Sequence, residues 1–524
     1  MGSYLIEDEE LCPFVPKMLV LRGLYTFCLL ATGGKTWLGQ VSLSQEPSLT
    51  KRIIHPFVVY SQSTLDSLDI WPPGPGQALI PQQPDAELAS ILKQIDPNRM
   101  KATVEKLVSF GTRHTLSNQT DPVRGIGAAR DWIAAQMRTY AAASNGRMVV
   151  TVPSYVQQPA SGIPNATVIS NIVATLTGSK EPNRVYVISG HYDSRVTDIL
   201  NFEADSPGAD DDASGVAISM ELARVMATHQ PAATIMFAVV AGEEQGLFGS
   251  NFMATTLKQN GVDVQGMLDN DIVGSPKGDD GTIDGFDIRM FVSGLPPSNT
   301  ANQNLQLASI GGENDSPAHQ LGRFVAEVSQ NAVTQMNGKH ISTPFLKKQK
   351  QRSNSVLVRA IYRPDRFLRG GDHLSFLSQG FPAVRFTEPH EDFKHQHQDT
   401  RVVDGIQFGD LIEFVDFDFT ARVARVNGAA LWSLAQAPGT PKGAVVDVSA
   451  LTNNSTLKWV ADPNADAGYE VVWRETDKPQ WARVIPVGHV NTVTVDLSKD
   501  NVQMGIRAVG KNGFKSPAAF PFPG

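Results

Sequence analysis

The feature that most constrains the fold is a series of short apolar segments, rich in β-branched residues, that alternate with segments of helical periodicity. The apolar segments read SNIVATLTG, RVYVISGH (184–191), ATIMFAVVAG (233–242), GMLDNDIVG and PAVRFTE. Between the second and the third, ASGVAISMELARVMATH carries apolar residues at helical spacing. Such apolar runs are typical of parallel strands that are buried on both faces. The pattern predicts an α/β fold in which a mostly parallel mixed sheet is flanked by helices.

The pattern of apolar residues along the chain changes after Pro441. Six short strand-like runs follow without helical periodicity, which predicts a small all-β sandwich over residues 441–524. A Pro/Gly-rich linker, AQAPGTPKG, separates it from the larger α/β domain at 98–437. The Pro-, Gln- and Ser-rich stretch at 45–97 predicts a linker or N-terminal arm. Residues 1–44 are expected to form a signal or disordered segment.

The N-terminal segment resembles an export signal. KMLVLRGLYTFCLLATGG supplies Arg22 ahead of a short apolar run from Leu24 to Ala31, and this run is too short to span a bilayer. An acidic IEDEEL precedes it, so translation starting at Met18 would suit a signal better. We therefore expect an exported protein, secreted or periplasmic/extracellular, without stable membrane insertion. A disordered or buried N-terminal segment is the alternative.

Composition excludes several classes of chemistry. The 524-residue chain has a net charge of -8 and no basic footprint for nucleic acid. Its cysteines, Cys12 and Cys28, both lie near the N-terminus. The body of the protein therefore has no disulfide framework, thiolate metal site or cysteine nucleophile. Any metal there must be held by His, Asp and Glu.

Acidic and histidine residues follow the predicted strands where ligands bind in open α/β sheets, at the carboxyl ends. These residues are His191, Asp193, Asp210, Asp211, Asp212, Glu243, Glu244, Asp269, Asp271, His390, His395 and His397. So many carboxylates at one rim would repel strongly without cations. Nitrogen and oxygen donors without sulfur suit a catalytic zinc, and their number exceeds the usual three protein ligands of one ion. Two metals sharing a carboxylate would use them all.

The motifs resemble those of the zinc aminopeptidases of peptidase family M28. HYD, GADDDASG, GEEQGLFGS, NDIVG, RGGDHLSF…GFPAVRFTE and H-x-x-x-DT occur in the family's order between residues 98 and 437. The resemblance implies a co-catalytic di-zinc exopeptidase that holds two Zn²⁺ per chain. Trp459, Tyr469 and the late IRAVGKNGFKSP resemble, in turn, a fibronectin type III module.

The M28 resemblance also implies individual metal ligands. Asp211 would bridge both metals. One metal would take Asp211, Glu244 and His395, and the other would take His191, Asp211 and Asp271. The peptide bond between Asp211 and Asp212 would be cis.

Other residues would act beside the metals. The resemblance implies Glu243 as general base, with Asp193 orienting the imidazole of His191. Tyr362 is a possible oxyanion donor, although it lies farther upstream of GGDH than the family pattern suggests. Arg363 and Arg366 are alternatives to it, or are structural. Asp269 and His397 are expected to be structural or to support the ligands.

The expected function is that of an aminopeptidase, which hydrolyses N-terminal residues from peptides through a metal-bridging water and a glutamate base. Three alternatives remain. A carboxypeptidase or dipeptidase would use the same scaffold, and a glutaminyl cyclase-like transferase would use one zinc. A non-catalytic binding protein would lack ligands, and none is missing here. The sandwich would act as a spacer or bind a surface or polymer target.

Overall fold

The protein is described by a computed structural model that covers residues 27–32, 35–40, 71–82, 85–329 and 354–524. These residues belong to two compact units, 1–73 and 74–524. In the first unit, Phe27–Thr32 (β1) pairs antiparallel with Lys35–Gln40 (β2). β1 overlaps the expected signal segment, whereas Cys12 lies outside the described residues. No helix in the described ranges is long and apolar enough to cross a bilayer.

The strands of the α/β domain, and one short strand that precedes it, have the following bounds. They are Gln77–Ala78 (β3), Met148–Thr151 (β4), Ser154–Gln157 (β5), Thr167–Ser170 (β6), Ile172–Leu176 (β7), Glu181–His191 (β8), Ala233–Val240 (β9), Asp263–Asn270 (β10), Asp287–Val292 (β11), Leu357–Ile361 (β12), Ala383–Thr387 (β13), Arg401–Val403 (β14) and Ile406–Phe408 (β15).

Eight of these strands form the central sheet in the order β12-β11-β13-β10-β8-β9-β7-β4. The four middle strands, β13, β10, β8 and β9, run parallel. β11 joins them antiparallel on one side, and β7 followed by β4 does so on the other. This confirms the predicted mixed α/β sheet, and all five predicted strands are present. Because the four middle strands are parallel, their carboxyl ends share one rim.

The helices lie between these strands and around the sheet. They are Ala86–Lys93 (α1), Pro97–Val108 (α2), Ile126–Ala142 (α3), Ala213–Met226 (α4), Phe248–Gln259 (α5), Ala301–Ser309 (α6), Pro317–Val328 (α7), His373–Ser378 (α8) and Phe417–Gln436 (α9), with 3₁₀ turns at Gly312–Asp315 and Ile412–Phe414.

The helix α4 approaches the central strands unusually closely. Every residue in it except Arg224 is buried, and its first turn lies against the ends of β8 and β10. A Cβ on Gly215 would lie 2.0 Å from the carbonyl oxygen of Asn270, and one on Gly190 would lie 2.5 Å from the carbonyl carbon of Gly215. Only glycine allows this approach. The amino end of α4 is thereby held at the rim of the sheet.

The C-terminal region is a two-layer sandwich, as the sequence predicts. Its strands are Val445–Val446 (β16), Ser455–Lys458 (β17), Gly468–Glu475 (β18), Arg483–Gly488 (β19), Thr492–Val495 (β20), Val502–Val509 (β21) and Phe522–Pro523 (β22). One four-stranded sheet has the order β20-β17-β16-β22 and the other the order β21-β18-β19-β3. Leu457 and Val495 of the first layer join Trp473 and Ile506 of the second in one buried core.

The stretch expected to be a linker or arm takes part in both domains. β3 precedes the α/β domain in the chain, yet it pairs antiparallel with β19 of the sandwich. The indole of Trp473 donates to the carbonyl of Pro75 at 2.8 Å. Farther along the same stretch, α1 begins at Asp85, whose side chain accepts from the amide of Leu88. Residues 74–82 and 85–97 are therefore packed parts of the second unit.

Buried ion pairs join the sandwich to the α/β domain. Asp315, at the end of the 3₁₀ turn that precedes α7, accepts from Arg323 of α7 and from Arg474 of β18, both at 2.8 Å. Arg507 of β21 donates to Glu327 near the end of α7 at 2.9 Å. All five side chains are at most 8% exposed. The sandwich is held to α7 by charges that compensate one another.

Candidate metal centre

The first part of the candidate site stands at the end of β8. His191 is the last residue of the strand and is 1% exposed. Its Nδ1 lies 3.2 Å from the carbonyl oxygen of Asp193 and 3.5 Å from the Oδ1 of Asp193. A hydrogen bond from Nδ1 to either oxygen leaves Nε2 unprotonated and free to bind a metal. Nε2 is buried and has no hydrogen-bond partner among the described residues.

The three consecutive aspartates point in three directions. Asp210 Oδ1 accepts from the amide of Gly274 at 2.6 Å. Asp212 caps α4 through the amide of Gly215 at 3.0 Å, and its other oxygen accepts from the amide of His191. Asp211, between them, turns both oxygens toward histidine nitrogens. The peptide bond from Asp211 to Asp212 is cis, as the family resemblance implies.

A fourth carboxylate, Asp410, holds this turn from outside. Its two oxygens accept from the backbone amides of Asp210 and Asp211, the latter at 2.7 Å. The sequence gives no sign of this contact, because Asp410 follows the turn by about 200 residues and belongs to no recognisable motif.

The next two strands bring three more carboxylates to the same place. Glu243 and Glu244 follow β9, and Asp271 follows β10. The backbone amides of both glutamates approach the carboxylate of Asp193, at 3.4 and 3.2 Å. Asp193 is fully buried and also accepts from the hydroxyl of Thr115. It therefore fixes the glutamates as well as His191, which is a positioning role.

The histidine that completes the cluster is His397, and the prediction that His395 does so is wrong. His397 Nε2 lies 2.8 Å from Asp211 Oδ2 and 3.1 Å from Glu244 Oε2. His395 instead stacks on Phe414, with ring centroids 3.6 Å apart, and its Nδ1 approaches Asp392. His397 has a left-handed φ of 56°, which reverses the local chain direction. The sequence His-Gln-His is compatible with either histidine as a metal ligand, and in the structure it is His397 that joins the cluster. Asp269 accepts from the hydroxyl of Ser189 and from the amide of His373.

Two groups of ligand atoms result, and they share Asp211. One consists of His191, Asp211 and Asp271, and the other of Asp211, Glu244 and His397, with the atoms of each group within 4.8 Å of one another. The nitrogen and oxygen donors suit zinc. Besides His191 Nε2, Glu244 Oε1 is buried and has no hydrogen-bond partner in the described structure. Since unpartnered buried polar atoms are costly, these residues fit a metal centre with room for two ions.

Burial and mutual charge shift the pKa of several groups at this centre. Burial raises the pKa of Glu243 well above its usual value, and Asp271 and Glu244 add to the rise against the opposing effect of His191. Burial also raises the pKa of Asp271, to about 6, against the effect of Arg385. The pKa of His397 rises to about 9, because Glu244 and Asp211 outweigh burial. The centre thus attracts positive charge.

A buried arginine contacts one of the candidate ligands directly. Arg385 of β13 is fully buried, and its Nη2 lies 2.8 Å from Asp271 Oδ1. Its Nη1 donates to Asp365 and to the carbonyl of Gly370. Arg385 therefore fixes the direction in which Asp271 points. In the sequence this arginine lies inside the predicted strand PAVRFTE, and no feature of that segment indicates that it belongs to the site.

Tyr362 does not reach the centre, so its prediction as oxyanion donor is wrong. Its hydroxyl donates to the carbonyl of Pro479 in the sandwich at 3.2 Å, and its ring packs on His319. Arg363 lies over the ring of Phe367, whereas Arg366 lines the candidate site. Tyr362 directly follows the end of β12 at Ile361, and at this position it contacts the sandwich instead of the candidate centre.

An open cavity of about 550 Å³ gives access to the candidate ligands. Asp211, Glu243, Glu244, Asp271 and His397 form its floor. Arg195, Arg366, Leu368, Arg369, Arg385 and Gln396 are among the residues that line the rest. No tyrosine lines it among the described residues. The volume suits a few residues of a peptide beside the candidate ligands.

Comparisons with known proteins agree with this centre. The model of "Peptidase family M28" matches residues 171–406. A probable zinc metalloprotease of Pyrenophora teres f. teres (strain 0-1) is 56% identical over 457 residues, which is 86% of this chain and 90% of the relative. Another, from Pyricularia oryzae, is 56% identical over 464 residues, 87% of this chain and 88% of the relative.

Among solved structures, LapB from Legionella pneumophila matches with a TM-score of 0.46 and 18% identity, over 72% of this chain and 81% of that chain. A likeness this distant bears on neither substrate nor mechanism. At 56% identity over more than two thirds of both chains, these two relatives show the family. The chain therefore belongs to peptidase family M28 and is a zinc metalloprotease.

Proposed function

We propose that the protein is a di-zinc aminopeptidase that removes N-terminal residues from peptides. The observation that carries the proposal is the placement of Asp211, whose two oxygens lie 3.1 Å from His191 Nε2 and 2.8 Å from His397 Nε2. One zinc would be held by His191, Asp211 and Asp271, and the other by Asp211, Glu244 and His397. Bound zinc would polarise the peptide carbonyl and make water acidic enough to lose a proton near neutral pH.

The position of Glu243 supports a role for it in moving that proton. Its Oε2 lies 3.9 Å from His191 Nε2, and its side chain lines the cavity floor. It belongs to neither ligand group, so its carboxylate is available as a base. Glu243 takes the proton from the attacking water and later gives it to the leaving amine. Asp193 acts through its neighbours, by orienting His191 and the backbone of Glu243.

The alternatives differ from this proposal at specific points. A glutaminyl cyclase-like transferase with one zinc would not need both ligand groups. A binding protein without activity would not need Glu243 beside them. A carboxypeptidase or dipeptidase would need the same groups, and the terminus that the cavity holds separates it from an aminopeptidase.

The decisive experiment uses one peptide in four forms: free at both ends, N-acetylated, C-amidated, and blocked at both ends. An aminopeptidase cleaves the free and amidated forms and releases the first residue, and it spares both acetylated forms. Cleavage of the acetylated form from its carboxyl end would establish a carboxypeptidase. Internal cleavage of the doubly blocked peptide would show an endopeptidase. Mass spectrometry of the products identifies the bond.

The number of metals is tested with a matched pair of histidine variants. We expect two zinc ions per chain by elemental analysis of the active protein. His397→Gln should lose zinc and activity, whereas His395→Gln should keep both, because only His397 joins the ligand groups. A fully active protein with one zinc per chain would refute the di-zinc proposal.

The sandwich and the destination of the protein complete the proposal. Its two layers and the packing of Trp459 on Tyr469, with ring centroids 5.2 Å apart, support a fibronectin type III-like module. Such a module would serve as a spacer or bind a surface or polymer. The N-terminal signal resemblance supports export. N-terminal sequencing of protein recovered outside the producing cells would locate a cleavage site, and an intact Met1 would argue against export.

A further inference from the structure

One wall of the cavity is built from a network of ion pairs with an excess of arginine. Glu391 is 6% exposed and accepts from three guanidinium groups, those of Arg289, Arg366 and Arg369. These arginines hold the pKa of Glu391 at about 2 against the effect of burial. A single negative charge thus faces three positive ones around Glu391.

The network continues toward the candidate metal centre, where the excess falls to one positive charge. Asp365 pairs with Arg366 at 3.0 Å and with Arg385 at 3.1 Å. Arg385 in turn pairs with Asp271. Counted over these ion pairs, four guanidinium groups face three carboxylates, one of which is the candidate ligand Asp271. A partly buried excess of positive charge favours an anion nearby.

The excess charge is accessible inside the cavity at one residue of this wall. The side chain of Arg369 is 33% exposed, whereas Arg366 is 9% exposed and Arg385 is fully buried. Arg289 is 22% exposed but does not line the cavity. The Nη1 of Arg369 donates to Glu391 at 2.6 Å, and its other two nitrogens have no partner in the described part of the chain. Glu391 thus orients Arg369 and leaves one edge of its guanidinium free.

The residue before Arg369 places an apolar group in the same cavity. Leu368 lines the cavity, is fully exposed, and adopts a left-handed φ of 54°. A non-glycine residue in this conformation is uncommon. An apolar side chain and a guanidinium edge therefore stand side by side, close to Glu243 and Asp271.

We infer that Arg369 is a specificity residue that binds a carboxylate of the peptide substrate, next to an apolar group that contacts Leu368. The inference rests on the proposed peptidase function and names its substrate class. A guanidinium edge binds a carboxylate through two parallel hydrogen bonds, which a neutral amide cannot reproduce. The carboxylate comes from either an acidic side chain or the free carboxyl terminus of a short peptide.

The test measures kcat/KM for matched substrate pairs that differ only by a carboxylate. Leu-Ala against Leu-Ala-amide probes a free carboxyl terminus. Leu-Glu-amide against Leu-Gln-amide probes an acidic second side chain, and the p-nitroanilides of Glu and Gln probe an acidic first one. In at least one pair we expect the carboxylate member to be preferred about tenfold or more. The pair that shows the preference identifies the source of the carboxylate.

Three variants then assign the preference. Arg369→Gln should bring the ratio within the preferred pair close to one, and Arg369→Lys should retain part of it. Arg363→Gln removes an equal charge from an exposed position outside the cavity and should keep both the ratio and the rate on each substrate. Because each ratio is internal to one protein sample, a partly misfolded variant does not distort it.

The outcomes separate the inference from the function on which it rests. Wild-type protein that cleaves every pair within twofold overturns the carboxylate inference and leaves the peptidase proposal intact. A ratio retained in Arg369→Gln overturns it as well. Equal losses on both members of each pair would assign Arg369 to the reacting carbonyl instead. Zinc-loaded protein that cleaves none of these substrates would contradict the aminopeptidase proposal itself.

Discussion

Two groups of buried charged residues in this protein differ in how their charges are compensated. Where the sandwich meets α7, Asp315 is paired with Arg323 and Arg474, and each hydrogen bond is 2.8 Å long. At the rim of the central sheet, the buried residues Asp211, Glu244 and Asp271 converge on histidines. In the first group the chain itself supplies the compensating charges. In the second, His191 Nε2 and Glu244 Oε1 lack hydrogen-bond partners in the described structure.

The difference separates structural charges from functional ones. A buried ion pair whose members satisfy each other holds two elements in register, and its removal leaves a buried charge behind. A buried group of like charges is tolerated only if something from outside compensates it. The origin of the compensating charge, which lies within the chain at the domain junction and outside it at the metal centre, therefore distinguishes the two groups. The four predictions below test that distinction.

The largest effect is expected at the centre, from Glu243→Gln. Turnover should fall by about 10²–10⁴-fold, because glutamine cannot accept a proton, while zinc content stays unchanged. Peptidase assays with elemental analysis of the same sample measure both. Glu203→Gln, an exposed position outside the cavity, is the control and should keep its activity. A Glu243→Gln protein with near-native turnover would remove Glu243 from the role of base.

The next effect is expected at the junction, from Asp315→Asn. The substitution leaves Arg323 and Arg474 buried without their carboxylate, which typically costs about 3–5 kcal/mol. The unfolding midpoint in urea should fall clearly, and zinc binding before unfolding should not change. Asp477→Asn breaks an ion pair whose carboxylate is 74% exposed and should change little. Equal midpoints for the two variants would show that the junction charges are not structural.

A smaller effect, on zinc affinity, is expected from Arg385. This buried cation belongs to the protein's own ion pairs and also contacts the candidate ligand Asp271. Arg385→Gln should weaken the binding of one zinc by about 10–100-fold, as is typical when the partner of a metal ligand is lost. Chelator competition measures the affinity and circular dichroism reports on folding. Arg359→Gln, whose side chain is 54% exposed, is the matched control. Unchanged affinity for both zinc ions would make Arg385 a purely structural residue.

The smallest effect concerns pH at the junction. Burial lowers the pKa of His319 to about 4, with Arg323 acting in the same direction and Asp315 opposing it. Its ring packs on Tyr362, and its Nε2 lies 3.2 Å from the carbonyl oxygen of Val292. Below about pH 6.5 His319 binds a proton in the unfolded chain, whereas in the folded chain it stays neutral until about pH 4. The free energy of unfolding therefore falls as the pH falls from 6.5 toward 4.

The His319→Gln variant isolates this contribution. It should lose less stability than the wild type across that window, because glutamine binds no proton in either state. Both proteins are unfolded thermally at each pH without zinc, so that metal loss does not contribute. Parallel curves for the two proteins would show that His319 titrates normally in the folded state.

The fold could be predicted from the sequence because its signals are local. A strand such as 233–242 is apolar along its whole length, and its carboxyl end is marked by the acidic pair that follows. The candidate ligands His191, Asp211, Glu244 and Asp271 are predicted in the same way, from strand ends and family motifs. All of them lie within a few residues of an element that the sequence itself defines.

The remaining features of the site depend on long-range contacts or on backbone geometry, neither of which is visible in a local stretch of sequence. His397 replaces His395 because one residue adopts a left-handed conformation. Tyr362 faces the sandwich because of a contact with Pro479, more than a hundred residues away. Asp410 and Arg385 reach the centre from distant parts of the chain and carry no motif.

The strand β3 has a consequence for how the protein is made. Gln77 and Ala78 leave the ribosome before the α/β domain, but their partners in β19 follow about 400 residues later, which at about 5–20 residues per second means a wait of roughly 20–80 s. During that time a nascent chain exposes an edge segment whose partner does not yet exist. The sheet that contains β3 therefore closes only after the α/β domain has been synthesised. A chain released before β19 is made would leave β3 without its partner strand.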